Sequence, residues 1–226
     1  MINVHNKFRT IENRFSCQFT RHEPELLQLA GTTKGVGRMI PCIAFNTEIS
    51  NWSLKRLLEV LQGGPNTVFI NSPGGTVDHF HVVGPALQFT GFTAIGGTVE
   101  SAAVILHMLG HKRLALPDST FFFHEVRTFI AGQTVTLCDV KEYEARMERF
   151  LSKHGKESEM VEELRWRLSQ SQAWLSHMLS TRSGVSASLF LDLMRNEARL
   201  SAEEARRLNI VHRVISHDEF IYLERI

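Results

Sequence analysis

The chain has 226 residues, 43% of them hydrophobic and 22% charged, with a net charge of +1. That length suffices for one substantial α/β domain with its own core, and the near-neutral charge argues against a dedicated nucleic-acid binder. No stretch approaches the roughly 20 apolar residues of a membrane-spanning helix, so no membrane contact is expected.

Cys17, Cys42 and Cys138 are widely spaced and odd in number, which fits a reducing compartment better than a disulfide framework. The first residues, "MINVHNKFRTIENRF", hold no apolar run of signal-peptide type, and a cytoplasmic location is expected. Residues 1–37 carry few structural signals. "GTTKGVG" (31–37) lacks the GK[ST] ending of a phosphate loop.

"RMIPCIAFN" (38–46) predicts a strand. "SNWSLKRLLEVLQGG" (50–64) predicts a helix that Ser50 or Asn51 can cap, with Leu54, Leu57, Leu58 and Leu61 in a stripe and Gly63-Gly64 at its end. "TVFI" (67–70) reads as a buried strand, broken by "NSPGG" (71–75). A helix interrupted at Gly84 and Pro85 follows over about 77–90, then a strand at 92–95 and a helix at 101–109. "RLAL" (113–116), a turn "PDS" (117–119) and "TFFFHEV" (120–126) read as two further strands. Strands alternating with helices predict a largely parallel sheet with crossovers.

Residues 134–182 are almost free of glycine and proline and are rich in charge, which predicts two long helices, or one broken near Gly155, projecting from the domain. Trp166 and Trp174, with Leu164, Leu168, Leu175 and Leu179, are expected at a subunit or handle contact. A short helix is expected at 183–198. "LSAEEARRLNIVHRVI" (200–215) carries a capping box from Ser201 and Glu204, a helix that Asn209 can close, and a last strand.

The chemistry concentrates in three places. A Pro-Gly-Gly turn at a strand end can present N–H groups to an oxyanion. Ser101 stands at a helix start, near the positive end of the helix dipole, and the N–H of Ala102 is a free donor. His124 ends the apolar strand "TFFF". A nucleophile, a base and oxyanion donors are what acyl transfer needs. Each also has a plain reading: serine is a common helix cap, and a lone histidine is commonly structural. The GxSxG elbow is absent. His107 and His111, and His79 and His81, have pair spacing without an obvious complementing ligand, so no metal and no cofactor are expected.

Taken together, "INSPGG", the G-x-x-x-S helix start and "KRLALPDS" before a strand ending in His resemble the proteolytic subunit of the ATP-dependent Clp protease, the ClpP family. The resemblance covers about residues 38–215. It implies an α/β fold of the ClpP/crotonase type, with stacked ββα units and a projecting helical handle, enlarged here at 134–182. The whole chain, 1–226, is then a single such domain, with 1–37 an N-terminal segment of unassigned role. It also implies a serine endopeptidase acting on unfolded proteins or peptides, a homo-oligomer of stacked rings, and an ATP-driven (AAA+) unfoldase as partner. Residue by residue, Ser101 matches the nucleophile and His124 the general base. Gly75 and Ala102 match the oxyanion donors.

The third triad member is displaced. Counting back from Leu200 reaches Leu193, so Asp192 is the nearest candidate, turned by about 100° if the helix continues. It reads equally as a solvated helix carboxylate, while Asn196 and Glu197 fall on the wrong side or further along. Glu100, before the nucleophile, stands where the family usually has a small residue. The alternatives are a non-catalytic structural or regulatory subunit and a crotonase-type acyl-CoA enzyme.

Overall fold

The computed structural model describes residues 42–63, 66–130, 133–142 and 159–219, all within the unit Gly37–Ile226. Residues 1–37, the first half of the expected strand at 38–46 and the Gly155 break lie outside the described residues.

Apolar runs bounded by glycine or proline become β1 (Cys42–Phe45), β2 (Thr67–Ser72), β3 (Thr93–Glu100) and β4 (Lys112–Phe122). They pair in that order and all in parallel. Between them run α1 (Asn51–Gly63), α2 (Phe80–Phe89) and α3 (Ala102–Leu109). Ser50 starts α1: its Oγ accepts from Ser53 N–H, while Ser53 Oγ accepts from Ser50 N–H.

Two sequence expectations fail along β3 and β4. The strand expected at 92–95 does not stop before Gly96-Gly97: β3 runs on to Glu100. "PDS" is not a turn between two strands but a bulge inside β4. Gly96 pairs with Ala115 and Thr98 with Thr120, so β4 advances five residues while β3 advances two. The Ser119 hydroxyl holds the bulge by donating to the Gly96 carbonyl and accepting from Leu116 N–H. The glycine pair is needed there: a Cβ on Gly96 would stand 2.8 Å from the Phe121 ring.

The charged second half also departs from expectation. An antiparallel ribbon, β5 (Arg127–Ile130) and β6 (Gln133–Thr136), takes the first three residues of the helix expected from 134, and residues 137–142 are helical as expected. The β-branched "TVT" favours the strand. Helix α4 (Glu159–Ser183) then begins. Its buried side chains, Leu168, Gln172, Leu175, Ser176, Leu179 and Ser183, recur at helical spacing. Leu175 and Leu179 join the main core, so this half of the helix is core rather than projection, whereas Trp166 is exposed. Trp174 packs its ring 4.2 Å from that of His81.

The last elements are α5 (Ala187–Arg195), β7 (Arg199–Ser201), α6 (Ala202–Arg207) and β8 (Arg213–Val214). The expected capping box of Ser201 and Glu204 is present, and Asn209 closes the segment after α6 with φ +52°. β7 runs antiparallel to the distal half of β4, and β8 pairs in parallel with its proximal half. No helix among the described residues is long and apolar enough to cross a membrane.

Candidate active site

Parallel strands send the connections that follow them to one edge of the sheet. β2 ends in the "SPGG" turn, β3 ends one residue before Ser101, and β4 ends two residues before His124. Gly75, Ser101, Ala102 and His124 consequently line one cavity of about 800 Å³. Buried Val104, Phe123, Leu179 and Met194 contribute apolar surface to it. Glu163, Arg167 and Ser171 bring α4 to the same cavity.

Ser101 occupies the junction of β3 and α3. Its φ of +55° and ψ of −124° lie in a region that residues with a Cβ rarely adopt, at a cost of about 1–3 kcal/mol. The junction is fixed from both sides: Ser101 N–H donates to Phe122 O, and Ser101 O accepts from Val104 N–H. Although Ser101 is the N-cap residue of α3, its hydroxyl makes no capping hydrogen bond. The plain reading of this serine as a cap is therefore excluded.

The glycine turn packs directly on this junction. A Cβ on Gly74 would stand 2.6 Å from Glu100 O, and one on Gly75 would stand 2.2 Å from Ile49 O. Both glycines have positive φ, +93° and +145°. Gly74 O and Thr76 N–H bond the backbone of Ile49, holding the turn from behind. Gly75 N–H and Ala102 N–H donate to no other group among the described residues.

His124 is half-buried, and its segment is anchored on both flanks. Phe123 N–H donates to Ala198 O, and Val126 N–H donates to the buried Gln172 side chain. The His124 Nδ1 lies 2.6 Å from Glu125 O. A proton on Nδ1 makes that hydrogen bond and leaves Nε2 as the basic atom. Burial lowers the His124 pKa below 6.5. The Glu125 carbonyl opposes this, Arg127 adds to it, and Glu197 and Glu100 oppose it. The imidazole is therefore neutral at pH 7, as a general base must be. Among the described residues, Ser101 and His124 share the cavity without a direct hydrogen bond.

The structure does not bring Asp192 to this cavity. Its carboxylate, 62% exposed, lies 3.6 Å from Arg195 on α5. The carboxylates whose charge reaches His124 are Glu197 and Glu100. Counting back from Leu200 without gaps passes over Glu197, on the wrong side or further along. In fact α5 ends at Arg195, Asn196 is its C-cap, and Glu197 turns back with φ +48°. Glu197 is ion-paired with Arg127. Glu100 is bound by Arg199, 2.9 Å away, whose guanidinium lies over the Phe122 ring. One of the histidine pairs weighed as metal ligands is divided between core and surface. His107 is buried in the core and His111 is exposed.

A family model for "Clp protease" matches residues 44–167. The fold is similar to that of a point mutant of ClpP1 from Listeria monocytogenes. That match has a TM-score of 0.55 and 18% identity, over 79% of this chain and 92% of that one. It is similar also to the ClpP protease catalytic domain from Plasmodium falciparum, with a TM-score of 0.54 and 19% identity, over 77% of this chain and 84% of that one. No curated protein matches the sequence. A family model that spans more than half of the chain, including β2 to β4, the glycine turn, Ser101 and His124, places this protein in the Clp protease family.

Proposed function

We propose that this chain is a serine endopeptidase acting on unfolded polypeptides or peptides, with Ser101 as nucleophile and His124 as general base. The observation that carries the reading is the strained Ser101 backbone, which presents an uncapped hydroxyl to the cavity that His124 also lines. In the reaction, Nε2 of neutral His124 accepts the Ser101 proton as Oγ attacks a peptide carbonyl. The N–H groups of Gly75 and Ala102 receive the developing oxyanion. His124 then protonates the leaving amine, and water hydrolyses the acyl-enzyme. The apolar surface of Val104, Phe123 and Met194 suits a hydrophobic side chain of the substrate. Glu197, by its charge, is better placed than Asp192 to support protonated His124.

The exposed side chains of Trp52, Val82 and Phe89 support action as an oligomer of this chain, while the cytoplasmic location and an ATP-driven unfoldase supplying substrate are carried over from the Clp protease family. One observation favours a second reading, a catalytically impaired structural subunit. No carboxylate among the described residues bonds His124, and Glu197 is held by Arg127. A fluorophosphonate probe decides between them. The peptidase labels at Ser101, and Ser101→Ala and His124→Ala lose labelling by orders of magnitude. An unlabelled wild type that is folded and oligomeric by light scattering identifies the structural subunit.

A further inference from the structure

Both halves of the missing acid–base contact are engaged elsewhere. Glu197 Oε1 accepts from the Arg127 guanidinium, and His124 Nδ1 bonds Glu125 O. Arg127 is the first residue of β5, three positions beyond His124. Glu197 lies in the turn between α5 and β7. Arg127 and Glu125 line the large cavity and also a neighbouring cavity of about 380 Å³ that Glu197 lines. The ion pair thus stands where the two cavities meet.

We infer that Arg127 is a latch: a positioning residue that determines whether Glu197 is bound to a guanidinium or available to His124. The inference rests on the peptidase reading above. Two features make the latch reversible. Its side chains are 37% and 60% exposed, and ion pairs in such positions are held weakly. Arg127 also rides on a two-stranded ribbon, an element with little independent stability. Displacing β5 by a substrate or a neighbouring subunit would withdraw the guanidinium and leave Glu197 to the imidazole.

Other charges face His124 as well. Glu125 and Arg127 come from its own segment, Glu100 from the end of β3 and Glu197 from the turn. Asp78 and the mutually paired Glu163 and Arg167 line the cavity beyond them. Of these, Arg127 alone acts twice, by its own charge on the imidazole and by occupying Glu197.

A cycle of four full-length proteins tests the latch: wild type, Arg127→Met, Glu197→Gln and the double variant. Each is followed by the rate of Ser101 labelling and by NMR titration of the His124 ring. Arg127→Met should label roughly two- to fivefold faster than wild type, the range that an exposed ion pair converts to. Its His124 midpoint should move upward. The rate gain should disappear in the Glu197→Gln background. A gain that survives there, or a folded Arg127→Met no faster than wild type, overturns the latch. Arg127→Gln replaces Arg127→Met, and is read in the same way, if the latter does not fold. If no variant labels, the peptidase reading fails, and the titration alone decides the latch. Glu197→Gln must then lower the His124 midpoint further when Arg127 is absent than when it is present. Equal shifts overturn it.

Discussion

The Cβ that Gly74 lacks would stand 2.7 Å from the Cβ of Ser101. The turn after β2 and the proposed nucleophile are in backbone contact, and any side chain at position 74 must separate them. Gly74→Ala also places a side chain at φ +93°, where strain costs about 1–3 kcal/mol. We expect labelling of Ser101 to fall by at least about tenfold, with a lower melting temperature by circular dichroism. Wild-type labelling in a folded Gly74→Ala protein would show that the contact has no part in reactivity.

Ser101 itself is predicted to be a site where function opposes stability. Ser101→Gly relieves the penalty of φ +55° and ψ −124°, offset in part by a more flexible unfolded chain. Urea denaturation should find it about 1 kcal/mol more stable than Ser101→Ala, with neither variant labelled. Coincident unfolding curves for the two would mean that the junction stores no strain.

Acid should loosen the helix that Ser101 begins. His107, on α3, is fully buried. Its Nε2–H donates to Leu114 O, its Nδ1 has no partner among the described residues, and burial pushes its pKa down to about 4. The unfolded chain titrates near 6.5, so between these values it binds a proton that the folded chain refuses. Stability therefore falls as pH drops through that window, by roughly 3 kcal/mol in all at 1.36 kcal/mol per pH unit. Denaturant titrations at pH 6.5 and 4.5 should show a shallower decline for His107→Leu than for wild type.

The opposite end of the same helix is closed by Arg182. Its guanidinium donates to Met108 O, Leu109 O and Gly110 O, and it sits beside buried Arg113, which bonds Ile210 O, Asn209 O and Arg182 O. Charge-assisted bonds to the carbonyls of a helix C-terminus offset its dipole. Arg182→Met should cost roughly 2–3 kcal/mol in chemical denaturation. A loss under about 0.5 kcal/mol would mean that water replaces the guanidinium at no penalty.

The parallel sheet was legible because its strands are apolar runs punctuated by glycine and proline, and the capping box at Ser201 was legible because it is local. Elements decided by distant partners were not. "PDS" has the composition of a turn, but Ser119 bonds to Gly96, 23 residues away, and keeps it within β4. That Ser101 and His124 stand at strand ends facing one cavity could be anticipated, because each follows a strong hydrophobic pattern. The place of Glu197 could not, because it depends on where α5 stops. Glu197 leaves the helical path in a left-handed conformation that neither periodicity nor counting from Leu200 anticipates.

Helix α4 lines the cleft along one side while its later turns are anchored in the core. Leu175 and Leu179 border the cavity and also pack in the main cluster, whereas Trp166 and Arg167, two turns earlier, border it from an exposed position. The wall therefore carries a gradient of evolutionary freedom. Selectivity can drift at the outer end by single substitutions without loss of folding, while the inner end can change only together with the residues packed behind it.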